Sequence, residues 1–330
     1  GVRVGSLSDL LEGEPERLEP HLGKLAGSDR NGFYALNAAF IDDGWVLEVE
    51  AGVAVDKLLR VVNVTTDASA DTASHQRHLC LVGRGAQMSI VEQYVTLTEE
   101  RYLNNVVYEV FLEEDALLQR YETIEESRSA FHVESVVAQL PRSARLVDVG
   151  LSLSGRLVRR ETQGGLSGEG AEVSRAGAYV PRGEEVHDQL TLVDHAVPHG
   201  TSSQLYKGVL DGRARGVFNG KVLVQRDAQQ TQAYQQNRTI LLSEHATADT
   251  RPQLEIYADD VKCSHGATTG ELDDEALFYL RTRGLNAVDS QRLLLEAFVG
   301  EVVEQVQGDD ALHAHFHRAL VGALPGRTNE

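Results

Sequence analysis

Apolar positions change period twice along this chain. Residues 7–26 carry spaced leucines (Leu7, Leu10, Leu11, Leu18, Leu22, Leu25) interrupted by Pro15 and Pro20, and Tyr34–Phe40 is a second short apolar stretch at helical spacing. Together they predict an N-terminal helical segment over residues 1–42. After the turn signal Asp43-Gly44 the pattern shortens to apolar and alternating runs. These extend from Trp45–Val49 through Ala86–Leu97, Phe131–Leu140 and Val217–Val224 to Val261–His265, divided by Gly, Asp, Asn and Ser. About fifteen such runs, roughly 8–15 residues apart, predict an all-β body over 43–270. Residues 271–330 return to helical period. Asp273 or Asp274 caps Glu275–Arg283, with Leu277, Phe278 and Leu280 as its apolar face and Gly284 as its stop. Asn286 opens a longer helix through Val306 with Leu293, Leu294, Ala297, Val299, Val302 and Val303 as a broad stripe, and a third helix covers about 310–320.

The turns bear on the kind of β-body. Gly208, Gly212, Gly216 and Gly220 recur every four residues with Val209-Leu210 and Val217-Phe218 between them, a spacing that suits tight corners. Tight corners beside continuous apolar alternation fit stacked β-coils, each burying its inner face on the next. No strict repeat consensus is visible, and β-helix and sandwich both stay open. A helical tail on either body must pack on its end or serve as a docking element.

Charge narrows the partners. Lys and Arg total 31 against 50 acidic residues, a formal charge of −19, which speaks against a non-specific grip on nucleic acid or an anionic membrane and favours proteins or cations. The two cysteines, Cys80 and Cys263, form no disulfide framework, and no leader-like or membrane-length apolar run occurs, so the cytoplasm is the expected compartment. The chain opens on Gly1 and its early helical pieces have no evident partner, so further N-terminal sequence is expected.

Candidate chemistry centres on Lys262-Cys263-Ser264-His265-Gly266. On a strand, residues i and i+2 share a face, so Cys263 and His265 can offer a thiolate and an imidazole to one soft metal. Two ligands are half a tetrahedral shell. Either the pair is structural, a buried thiol beside a satisfied histidine, or a second polypeptide completes it. His313 and His317 lie one helical turn apart and read as solvated histidines, because no fixed acidic or thiol ligand accompanies them. Asp194, His195, His199 and the hydroxyls Thr201–Ser203 invite a nucleophile–base reading, yet no nucleophile elbow is present and they read as a loop ordered by side-chain hydrogen bonds. The tract Gly164–Gly170 lacks the Lys-Ser/Thr of a phosphate loop. A β-helix enzyme acting on polysaccharide would need paired carboxylates, and Asp259 and Asp260, adjacent on a strand, point to opposite faces. A purely structural β-solenoid would leave the amphipathic C-terminal helices and the Cys-x-His pair without a purpose.

The block Pro252-Gln-Leu-Glu-Ile-Tyr-Ala-Asp-Asp-Val-Lys-Cys-Ser-His-Gly-Ala-Thr268, followed by Leu277-Phe-Tyr-Leu-Arg-Thr-Arg-Gly284, resembles the SufB/SufD family of iron–sulfur cluster assembly proteins, and within it the SufD-like branch. His199–Gln204, Lys207–Leu210, Gly216–Gly220, Arg77-His78-Leu79 and Glu92-Gln93-Tyr94 extend the likeness over nearly the whole chain. The resemblance implies a mainly β protein: a right-handed parallel β-helix core (43–270) between an N-terminal helical lead-in (1–42) and a C-terminal helical domain (271–330). It implies a non-enzymatic subunit that pairs with a SufB-like paralogue through the β-helix and docks a SufC-like ATPase through Phe278, Tyr279, Arg281, Leu294 and Val302. Pairing of two copies is its counterpart in isolation. Cys263 and His265 become contacts for iron or a cluster at the interface, transient and shared with the partner. The chain alone would hold no cofactor stably; reduced flavin has been suggested for the family's complex. Two positions depart from the SufB-like pattern: Asn237 stands where those sequences carry a sulfur-receiving cysteine, and Gly266 stands where they carry glutamate. Such a subunit is not expected to accept persulfide sulfur or nucleate a cluster alone.

Overall fold

The alternating runs become coils of a parallel β-solenoid in the computed structural model, which describes residues 1–308 and 310–325. In chain order the strands are β1 (Val2–Ser6), β2 (Trp45–Val49), β3 (Leu59–Thr65), β4 (Ala73–Val82), β5 (Gln87–Thr96), β6 (Leu103–Leu112), β7 (Leu117–Glu125), β8 (Phe131–Leu140), β9 (Arg145–Ser154), β10 (Leu157–Leu166), β11 (Glu172–Tyr179), β12 (Val186–His195), β13 (Thr201–Leu210), β14 (Arg215–Val224), β15 (Gln232–Leu241), β16 (Thr247–Ile256) and β17 (Lys262–Gly270). Even-numbered strands from β2 to β16 form one parallel sheet and odd-numbered strands from β3 to β17 the other, so each coil gives one strand to each. The stacking is in register: Leu157 lies on Val186 and Val186 on Arg215. Ahead of β2 helical pieces were expected over residues 7–26 and Tyr34–Phe40. Helices α1 (Leu7–Gly13) and α2 (Gly32–Ala39) stand there, and Val2–Ser6 before them adds an antiparallel strand to β2.

One corner of successive coils is built by residues in the left-handed region: Asp115, Ser143, Gly170, His199 and Gln230, with φ between 56° and 70°. There the N–H of Asp115 donates to the Arg142 carbonyl, that of Ser143 to Glu169 and that of His199 to Gln229, each at 3.0 Å. Gly212 (φ 68°) serves the opposite corner, as the glycine spacing predicted. Gly208, Gly216 and Gly220 do not. They lie inside β13 and β14 facing the lumen, where a Cβ on Gly208 or Gly216 would stand 2.4 or 2.8 Å from the Tyr179 ring and one on Gly220 2.4 Å from the Gln235 amide. These glycines make room for large inward side chains.

Three apolar layers result. The lumen buries residues such as Leu47, Val82, Ile90, Val110, Leu118 and Val158. Outside the even sheet, the N-terminal segment packs Ala26 and Tyr34 on Val107 and Val137. It also covers a buried ion pair on that sheet, Arg77 of β4 to Glu109 of β6 at 2.6 Å, whose carboxylate further accepts the N–H groups of Gly23, Leu25 and Ala26. Outside the odd sheet, α4 (Ala287–Val303) and α5 (Asp310–Ala323) bury Leu295, Val299, Val302 and Phe316 against Val147, Val149, Ala176 and Ala178. These helices therefore lie along the solenoid and not on its end. Lys207, fully buried beneath α4, donates to the Phe298 carbonyl (2.6 Å) and pairs with Glu301 (2.8 Å).

The lumen also holds charge. Arg120 reaches Glu92 (2.7 Å), Glu122 (2.6 Å), Asp148 (3.2 Å) and Glu134, and Arg160 reaches Glu122 and Glu134 at 2.8 Å. Beside this cluster His78 stacks on Trp45, and its Nδ1 accepts the Trp45 N–H at 3.0 Å. Burial first, and then the charge of Arg120, push its pKa down to about 3. A histidine lowered in the fold favours the native state fully above its unfolded value near 6.5 and loses that contribution as pH falls toward the folded value. The stability gap between wild type and His78→Gln should therefore shrink by about 2 kcal/mol between pH 7 and pH 4.5, read from urea midpoints at each pH. A gap independent of pH would mean that His78 is not held neutral.

Candidate functional site

Among the described residues, the solenoid ends in strands that have no further neighbour. β17 pairs only with β15 and β16 only with β14, so the last coil presents open N–H and C=O edges in both sheets. Register fixes which side chains look into the open lumen. Cys263 stacks on Ala233, His265 on Gln235 and Ala267 on Asn237, all inward positions. Cys263 and His265 thus share one face at the rim of the last coil, the arrangement their i, i+2 spacing predicted. Cys263 is half-buried against Val222, Ala233 and Leu254, whereas His265 is exposed. Burial pushes the Cys263 thiol up, against a smaller downward pull from a hydrogen bond with the Ala233 backbone. The thiol is therefore protonated at neutral pH and needs a cation to ionise it. Among the described residues no group of three or more His, Cys, Asp or Glu side chains is placed to hold a metal. Exposed Ile256 and Tyr257 extend the same rim with apolar surface.

Below the rim, Asn237 is fully buried: its amide oxygen accepts from Tyr179 at 3.1 Å and its nitrogen donates to the Thr250 hydroxyl at 2.9 Å. It closes a lumen hydrogen-bond chain and offers no nucleophile. Gly266 has open space where its Cβ would be.

Around the corner from the rim stands α3 (Asp274–Thr282), capped by Asp273, whose carboxylate accepts the N–H groups of Glu275 and Ala276. The apolar face anticipated for it included Phe278. Leu277 and Leu280 are half-buried, but Phe278 is 70% and Tyr279 56% exposed, with Arg283 stacked 5.0 Å over the Tyr279 ring. Arg281 lines a groove with Leu277, Glu271 and Gln291, and Leu294 lines a second with Phe298 and Thr268. Val302 is a correction. It is completely buried in the seam between α4 and the odd sheet and has no surface to present to a partner.

Of the α5 histidines His313 is exposed and His317 partly so, as read, whereas His315 is half-buried on the sheet. His315 meets the Gln93 side chain of β5 at 3.0 Å because α5 lies on the odd sheet, and His317 Nε2 lies 3.1 Å from the Glu296 carboxylate of α4. His195 ends a strand and is fully buried, with Nε2 2.9 Å from the Ser202 hydroxyl, and burial pushes it down to about 4. The charged lumen has a sequence signal of its own, the alternation Glu92-x-Tyr94 and Arg120-x-Glu122 inside strand runs.

No helix among the described residues is long and apolar enough to cross a membrane. The SufBD core domain of the SUF system for FeS cluster assembly matches residues 64–298, and the SufBD protein N-terminal region matches residues 1–61. An iron–sulfur cluster assembly SufBD family protein of Synechocystis sp. is 32% identical over 92% of this chain and 69% of its own length. The iron–sulfur cluster assembly protein SufD of Escherichia coli is 30% identical over 99% of this chain and 78% of its own. SufD of Bacillus subtilis is 28% identical over 84% and 64%.

Proposed function

Because this chain belongs to the SufBD family of the SUF iron–sulfur cluster assembly system, we propose that it is a non-catalytic scaffold subunit of a cytoplasmic assembly complex. It pairs through its open last coil with a SufB-like paralogue and docks a SufC-like ATPase through α3. The observation that carries the reading is the rim itself: two unpaired parallel edges, with Cys263 and His265 on one inward face and too few ligands to close a shell. A second polypeptide laid on those edges supplies main-chain partners to β16 and β17 and the missing ligands to an iron ion or a nascent cluster. Asn237, occupied by Tyr179 and Thr250, fits a subunit that takes no part in receiving persulfide sulfur.

The test is anaerobic affinity purification of the tagged chain from its own cytosol, with partners identified by mass and iron and sulfide assayed. Co-elution of a SufB-like paralogue and an ATPase is expected. In Cys263→Ser and His265→Ala the same partners should co-elute while iron and sulfide fall about tenfold, since serine is a poor ligand for a soft metal. A chain recovered alone would remove the scaffold reading. Undiminished iron in Cys263→Ser would leave the thiol a packing residue.

A further inference from the structure

Proline has no N–H to give to a ladder, so its place in a strand marks the side of that strand that goes unpaired. β16 carries one near its centre, Pro252, stacked on Gly220 of β14. In a parallel ladder alternate residues turn both N–H and C=O toward the same neighbour. The N–H of Thr247 donates to the Ala214 carbonyl and that of Tyr257 to Val224, each at 2.9 Å, so the odd-numbered residues of β16 face β14. The even-numbered ones, Ala248, Thr250, Pro252, Leu254 and Ile256, face the open edge, and that edge lacks its central donor. β17 is different. The N–H of Lys262 donates to the Thr231 carbonyl at 2.9 Å, which turns its even-numbered residues to β15. Cys263, His265, Ala267 and Thr269 face the open edge, each with its N–H. The Cys–His pair thus offers its main chain to the open edge as well as its side chains to the mouth of the lumen.

We propose that the partner's strand is laid on β17, where the ladder is continuous, and that Pro252 holds β16 to a broken one and so limits pairing of the rim with other open strands. The scaffold reading supplies the identity of that partner, the SufB-like paralogue; the inequality of the edges does not depend on it. A continuous ladder has a consequence for the ligands. A residue opposite Cys263 or His265 on the added strand brings its Cβ about 4.5–5.5 Å from theirs on the lumen side, near enough to share one ion with them. On β16 the proline does what prolines do on exposed edges, which is to spoil the template for a further strand.

Proline itself is the probe, because at an edge-facing position it removes a donor from the rim and none from the chain's own ladder. In affinity purification of the tagged full chain from its own cytosol, Ala267→Pro should recover at least about tenfold less of the SufB-like paralogue than wild type, the scale of a carbonyl left unpaired in an interface. Ala248→Pro, the matching change on β16, should recover it within about twofold of wild type. Both should keep the wild-type urea midpoint; if Ala267→Pro does not, Thr269→Pro makes the same cut on β17 nearer the strand end. Pro252→Ala restores the missing donor, and the purified chain alone should then self-associate at about tenfold lower concentration than wild type in sedimentation velocity. Wild type that recovers no paralogue removes the scaffold reading, and the sedimentation of Pro252→Ala still decides the edges. Undiminished recovery with the β17 proline, equal losses with prolines on both strands, or Pro252→Ala sedimenting as wild type overturns the assignment.

Discussion

Arg120→Met is expected to destabilise the fold by about 3–5 kcal/mol, the cost typical of leaving buried charges without their partner. Arg120 is the hub of the lumen: it bonds Glu92, Glu122, Glu134 and Asp148 and lies 4.4 Å from the Tyr108 ring centre. Burial opposes ionisation of Glu134, yet Arg120 and Arg160 outweigh it and hold that carboxyl well below the usual range. Removing Arg120 leaves the buried Glu134 with Arg160 as its remaining ion-pair partner, and strips Glu92 of its arginine. Glu122 is the opposite case. Burial above all, with the adjacent Glu134, holds its carboxyl well above the usual range despite the opposing pull of Arg120. Glu122→Gln, close in shape to that acid, should cost less than about 1 kcal/mol, while Glu134→Gln should cost about 3 kcal/mol. Urea denaturation of the three variants at pH 7 decides it. Equal losses at Glu122 and Glu134 would show that both are ionised and that this division of protons is wrong.

This cluster marks where the sequence stopped being readable. Strand positions were legible because alternation is local, and the shared face of Cys263 and His265 followed from period two alone. Alternation does not say which phase is inside, however, and in β7 the inward phase is Leu118, Arg120, Glu122 and Ile124. Charged residues in a strand read as solvent-facing, and nothing within ten residues reveals that Glu92, Glu134 and Arg160 wait on neighbouring coils. The choice between coil and sandwich had the same obstacle: stacking such as Leu157 on Val186 joins residues distant in sequence, and only the family resemblance supplied it. Gly216 and Gly220 were read as corners because a glycine that makes room for Tyr179 or Gln235 looks, in one dimension, like a glycine that turns. The open rim was invisible for a related reason. β17 has the composition of the strands before it, and only the absence of a following coil leaves it unpaired.

The C-terminal helices separate packing from recognition, and there the second large effect lies. The stripe on α4 was legible as apolar, but periodicity does not tell a helix's own sheet from a partner, and so Val302 was grouped with Phe278 and Tyr279. In the fold Val302 is sealed against the odd sheet, while the two aromatics of α3 stand in solvent next to a cap that fixes their helix. Large exposed aromatics on a rigid element are the residue type that dominates interface energetics. Replacing Phe278 and Tyr279 together by alanine should weaken binding of the SufC-like ATPase by about 30- to 1000-fold, equivalent to about 2–4 kcal/mol, with an unchanged urea midpoint. Val302→Ala should do the reverse: about 1–3 kcal/mol lost from the fold and ATPase affinity kept. Titration calorimetry beside urea denaturation on the same preparations separates the two columns of results. Wild-type affinity in the double variant would take the docking site off α3, and a loss of affinity in Val302→Ala at full stability would restore α4 as the recognition element.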